Sequence, residues 1–189
     1  MIEGVTILGE LGVRDMLLSW GEAEAETMAK ENYMAHEVAA RRLAGVHMAE
    51  DDVAIIDGVS RWRRNLLHEL LEKPVRWHNA EFPVNELGAV RVIDGWDCPE
   101  VKTMAELLLR KPDFAFDVFD ASKLHGLPVF VGTGPAEQWC LAEGTHRCLT
   151  ILRDVDQTSR PLRIIVGISP LMHDWYWWRC NRDGSPRRG

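Results

Sequence analysis

Within the five residues Glu143-Gly144-Thr145-His146-Arg147 the chain places a carboxylate, a hydroxyl, an imidazole and a guanidinium around one glycine. The apolar run Trp139-Cys140-Leu141-Ala142 before them predicts a strand ending at Glu143-Gly144. Thr145 to Leu152 predicts a helix with Cys148, Leu149 and Ile151 available to a core. The first turn of a helix holds N–H groups without intrahelical partners, and with the helix dipole they favour an anion. Glycine lets the backbone bend sharply and a ligand come close. Arginine grips phosphate through parallel hydrogen bonds. The expected chemistry is anion binding by Gly144, Thr145, His146 and Arg147, with Glu143 as candidate catalytic base or orienting group. Structural roles compete at each position. Gly144 can end a strand, Thr145 can cap a helix, Arg147 can pair with Glu143, and His146 can be an ordinary surface histidine.

The elements that must hold this turn fall into two stretches. The first 72 residues read as mainly helical. Val13 to Trp20 forms an apolar-rich set, and Glu22 to Ala44 is rich in helix formers, with Tyr33, Val38 and Leu43 as candidate buried positions and Gly45 as a stop. Asp51-Asp52 reads as a turn. Ser60 is a candidate cap for a helix that aligns Trp62, Leu66, Leu67 and Leu70 on one face. After Pro74 the pattern changes. Ala89 to Ile93 is β-prone, Val101 to Arg110 reads as a helix closed by Pro112, and Phe114 to Phe119 is open between strand and short helix. Pro128 to Gly132 is a strand joined by a turn to the Trp139 strand as a hairpin, and Arg163 to Gly167 is a further strand. Ser169-Pro170 begins another turn. The aromatic cluster Trp175, Tyr176, Trp177 and Trp178 follows, with packing at the domain edge set against base stacking or a protein interface for Trp175 and Trp177.

In this order of elements, the run from Trp139 to Thr150 resembles the strand, Asp/Glu-Gly-x-x-Arg, helix core of the ParB/sulfiredoxin-like superfamily. Phe82-Pro83-Val84-Asn85-Glu86-Leu87 is similar to the opening strand of those domains. Met104 to Arg110 stands at their first helix, and Leu127 to Val131 at the strand before the motif strand. The resemblance implies an α+β fold, a small mixed sheet flanked by helices. The division is then a helical N-terminal extension over residues 1–76, the ParB/sulfiredoxin-like domain over 77–180 and a basic tail over 181–189. It implies nucleotide phosphates held by Gly144, Thr145, His146 and Arg147, with ATP or CTP and Mg2+ as ligands and a phosphotransferase or NTP hydrolase as the activity. Two departures narrow it. Thr145 stands where sulfiredoxins carry their reactive cysteine, and little chain follows Trp178 for the DNA-binding region of a partition protein.

Composition bounds the alternatives. The formal net charge of -7 argues against a uniformly basic nucleic-acid surface. Local patches remain, at Arg61, Arg63 and Arg64 and at Arg182, Arg187 and Arg188. Cys98, Cys140, Cys148 and Cys180 have no CxxC spacing, so neither a disulfide framework nor a metal site is expected. Without a signal-like start or an apolar membrane-length run, the expected location is cytoplasmic, with no membrane partner. A regulatory binding module of the phage or plasmid type, using the turn only as scaffold, is the rival reading. A metal-dependent nuclease is a third, which lacks a second acidic cluster beside Glu143.

Overall fold

Alternation of side chains along short apolar runs builds a six-stranded mixed sheet in the computed structural model, which describes residues 4–93, 101–115, 126–134, 138–154 and 160–175. The strands are β1 (Thr6–Leu11), β2 (Arg76–Phe82), β3 (Arg91–Val92), β4 (Val129–Gly132), β5 (Cys140–Glu143) and β6 (Leu162–Ile168), in the spatial order β1-β2-β6-β4-β5-β3. β1 with β2, β2 with β6, and β4 with β5 are antiparallel; β4 with β6 and β3 with β5 are parallel. Period-2 alternation serves two cores. Ile165, Val129, Val131 and Cys140 face one side, and Ile164, Val166, Phe130 and Leu141 face the other. Each large apolar side chain so buried contributes about 1.5–3 kcal/mol. Sheets covered on both faces need this near-continuous apolar character.

The first face is covered by α1 (Val13–Lys30), α2 (His36–Leu43), α3 (Asp51–Trp62) and α4 (Arg64–Glu72). Met16, Trp20 and Met28 of α1 pack there with Ile55 and Val59 of α3 and Leu67 and Leu70 of α4. The expectation that this region is helical holds with one exception. Thr6–Leu11 is a strand, almost wholly exposed and hydrogen-bonded to β2, so the sheet takes its outer strand from the N-terminal stretch. Asp51-Asp52 is not a turn but the acidic first turn of α3, where carboxylates suit the helix dipole. Ser60 therefore lies inside α3 and caps nothing. The break comes at Arg63, with φ −103° and ψ 24°. Val38 is buried as expected, but Tyr33 and Leu43 are more than a third exposed, because the α1–α2 junction and the end of α2 turn them outward.

On the second face lie α5 (Met104–Arg110) and α6 (Thr145–Arg153). Thr103 and Glu106 form a capping box at the start of α5, a Thr-x-x-Glu signal readable in the sequence. The similarity to an opening strand reaches only to Phe82. Pro83 ends β2, and Val84–Ala89 is a 3-10 helix. Of the segment left open after Pro112, Pro112–Phe114 is a 3-10 turn, and Phe116, Val118 and Phe119 lie outside the described residues. The hairpin of β4 and β5 forms as expected. Ser169 caps a 3-10 turn over Pro170–Asp174, accepting from the Leu171 N–H.

Candidate functional site

Gly144 sits between the end of β5 and the first residue of α6, as the change of periodicity predicts. Its backbone is left-handed, with φ 99° and ψ 26°. A Cβ here would lie 3.0 Å from Pro128 Cβ, so both conformation and space select glycine. Glycine offers α6 no side-chain cap. Thr145 is half-buried and His146 exposed. The His146 ring is tethered, its Nδ1 donating to the Phe114 carbonyl at 2.7 Å, with the two rings 5.4 Å apart.

Arg147 points inward. Its Nη2 donates to the Glu143 carboxylate in a buried pair, and its Nη1 donates to the Gly126 carbonyl at 2.7 Å. Both partners are over nine-tenths buried. The loop it grips is itself fastened to α1. The Leu127 N–H donates to Ser19 Oγ at 3.0 Å, and Gly126, at φ 66°, lies so close that a Cβ would be 2.1 Å from the Ser19 carbonyl oxygen.

Two residues of the helical layer join this pair. Glu24 of α1 accepts from Arg63 Nη2 at 3.1 Å. Burial pushes the Glu24 carboxyl up to about 7, the charge of Glu143 pushes the same way, and Arg63 and Arg147 oppose both. Glu24 is therefore within electrostatic reach of the turn. Arg63 also lies over the Trp62 ring, 3.7 Å from its centroid, in cation–π geometry. Two carboxylates and two guanidiniums thus gather where the sheet end meets α1. Glu24 gave no local signal in the sequence, since an Ala-Glu-Ala-Glu stretch reads as a solvated helix face. The sequence groups Arg63 with Arg61 and Arg64 as a local basic patch. Arg61 pairs with Asp57 at 2.7 Å on the surface and Arg64 is exposed, whereas Arg63 turns in.

The remaining candidates are elsewhere. Trp175 is fully buried in the core under the helical layer, so its ring presents no face for stacking. Trp177, Arg182, Arg187 and Arg188, together with Cys98 and Cys180, lie outside the described residues. Cys140 and Cys148 are buried thiols. Burial pushes the Cys148 thiol up to about 12, so it stays protonated and is no nucleophile. Among the described residues no group of three His, Cys, Asp or Glu side chains could hold a metal ion, and no helix is long and apolar enough to cross a membrane. In comparisons with protein-family models, with curated proteins and with solved structures, the chain matches none.

Proposed function

We propose that the protein binds a nucleotide through its phosphates at the Gly144 turn, as its resemblance to ParB/sulfiredoxin-like domains implies. The observation that carries this reading is the left-handed, uncapped entry into α6, with the Glu143–Arg147 pair at its base. The first-turn backbone, Thr145 and His146 supply the outer contacts. Arg147 supplies the guanidinium by exchanging Glu143 for phosphate, and Glu143 is then released as base or orienting group. ATP or CTP with Mg2+ is the ligand that the resemblance implies. Mg2+ binds through one or two carboxylates and the phosphates themselves rather than in a protein cage. Glu143 is the carboxylate nearest to that role.

The test is a thermal-shift panel of ATP, CTP, GTP and UTP with and without Mg2+. A ligand at a hundred times its Kd stabilises by about 2.7 kcal/mol. For a chain of this size that raises the midpoint by about 5–10 °C. No shift with any nucleotide sinks the reading. A second reading has its own observation, the inward engagement of Arg147 with Glu143 and Gly126. There the turn is scaffold for a regulatory binding module without catalysis, and Arg147→Ala lowers stability without touching ligand affinity.

A further inference from the structure

The guanidinium that the turn would offer an anion is covered. The Arg147 side chain is only 9% exposed, and residues 126–128, the run that leads into β4, lie against it. This run is gripped from two sides. From the turn, Arg147 Nη1 donates to the Gly126 carbonyl at 2.7 Å, and Pro128 sits so close to Gly144 that a Cβ there would lie 3.0 Å from its own Cβ. From α1, Ser19 Oγ accepts from the Leu127 N–H at 3.0 Å, and a Cβ on Gly126 would meet the Ser19 carbonyl oxygen and Ala23. The inner end of the run belongs to the sheet, since the Pro128 carbonyl accepts from the Ile165 N–H at 2.9 Å. Gly126 and Leu127 lie outside the ladder of β4, with Gly126 at φ 66°. Single hydrogen bonds of modest net worth hold them to Ser19 and Arg147. A few such residues at the end of a strand can take up a change of backbone direction while the sheet stays whole.

Resting on the turn reading above, we infer that residues 126–128 are an autoinhibitory strap over Arg147, fastened to α1 by Ser19. With the strap in place Arg147 is engaged by the Gly126 carbonyl and by Glu143. An anion at the start of α6 reaches the guanidinium only after Gly126 has moved off it. Ser19 touches no ligand; it holds the closed arrangement together.

Strap and ligand then compete for one guanidinium. Apparent affinity is lowered by the fraction of molecules whose strap is open, and the ligand in turn shifts the strap toward the open state. This competition has a signature that scaffolding lacks. Removing a residue that only supports the fold cannot improve binding, whereas loosening an inhibitory contact does.

Calorimetric titration of the full chain with ATP and with CTP, each with Mg2+, tests this on wild type and Ser19→Ala. Thermal melts confirm that the variant is folded. Ser19→Ala removes one hydrogen bond from the closed arrangement alone, so it should bind nucleotide about two- to tenfold more tightly than wild type. A second measurement needs no variant. Hydrogen exchange of the Leu127 amide, followed by NMR in the wild-type protein, should speed up in saturating nucleotide, because the strap that holds that amide to Ser19 has opened. Binding by Ser19→Ala where wild type shows none supports the strap and the turn reading together. Equal or weaker affinity in Ser19→Ala, or a Leu127 amide that nucleotide slows or leaves unchanged, overturns the strap and leaves the turn reading intact. If neither protein binds either nucleotide, this inference and the turn reading fall together.

Discussion

The guanidinium of Arg147 closes on the carboxylate of Glu143 across the left-handed turn at Gly144, one from the first turn of a helix and the other from the last residue of a strand. The pair is buried, so its worth depends on both members being present. Removing one leaves an uncompensated charge in the interior, which costs about 3–5 kcal/mol, whereas replacing both by apolar groups of similar volume is often neutral.

Arg147→Ala is therefore expected to lower unfolding free energy by about 3 kcal/mol. Glu143→Gln combined with Arg147→Met should recover most of it. Urea melts of the three proteins check this. Nucleotide titration of the same proteins separates the ligand role, in which both changes abolish binding, from the scaffold role, in which affinity follows folding alone.

Gly144→Ala is expected to destabilise by about 1–3 kcal/mol, because alanine resists the left-handed region. The new methyl would also press on Pro128. The distinguishing control is Gly88→Ala, where a Cβ meets its nearest atom at 3.4 Å, an ordinary contact, and no positive φ is needed. Equal midpoints for the two variants in denaturant would show that the turn tolerates a side chain.

Glu24 gives the fold a pH dependence with a defined sign. Its carboxyl rises from an ordinary 4.5 to about 7, chiefly through burial. A raised carboxyl favours the folded state fully below its unfolded value, and that contribution is lost as pH climbs through the folded value. The total is roughly 3 kcal/mol between those two pH values. Asp51, held down by Arg41, acts in the opposite sense, its contribution being lost as pH falls from the ordinary 3.8 through the depressed folded value, so the two windows are separate. Urea midpoints should decline from about pH 5 to about pH 7.5. Glu24→Gln should flatten that decline, and an unchanged slope in the variant would remove Glu24 as its source.

The Gly144 turn was legible because the periodicity of the chain changes there, from the short run ending at Ala142 to helical spacing after Thr145. The β4–β5 hairpin and β6 were legible for the same reason. The outer strand β1 was not. All but its last residue are exposed, so burial imposes no alternation on Thr6–Leu11, and hydrogen bonding to β2 alone fixes it. The start of α3 was misplaced because Asp51-Asp52 carries both a turn signal and a first-turn charge signal, and the dipole term prevailed. Glu24 and Arg63 were hidden for a deeper reason. What joins them to Glu143 and Arg147 is the packing of α1 on the Gly126 loop, and no local pattern encodes a contact between such distant segments.

The pairing of β2 with β6 has a consequence for how the molecule is made. Arg76 to Phe82 matches Ile168 to Leu162 residue for residue, so the middle of the sheet is stitched from an early and a late piece of chain. Helices α1 to α4 rest on local contacts and can form while the chain is still being synthesised, but β2 has no inner neighbour until β6 has left the ribosome. Closing so long a loop before its contacts can repay the entropy makes folding slow relative to helical proteins of this size. Through that interval Trp77, Ala80 and Phe82 lack their central cover, and the nascent chain exposes three apolar side chains of the kind that chaperones shield.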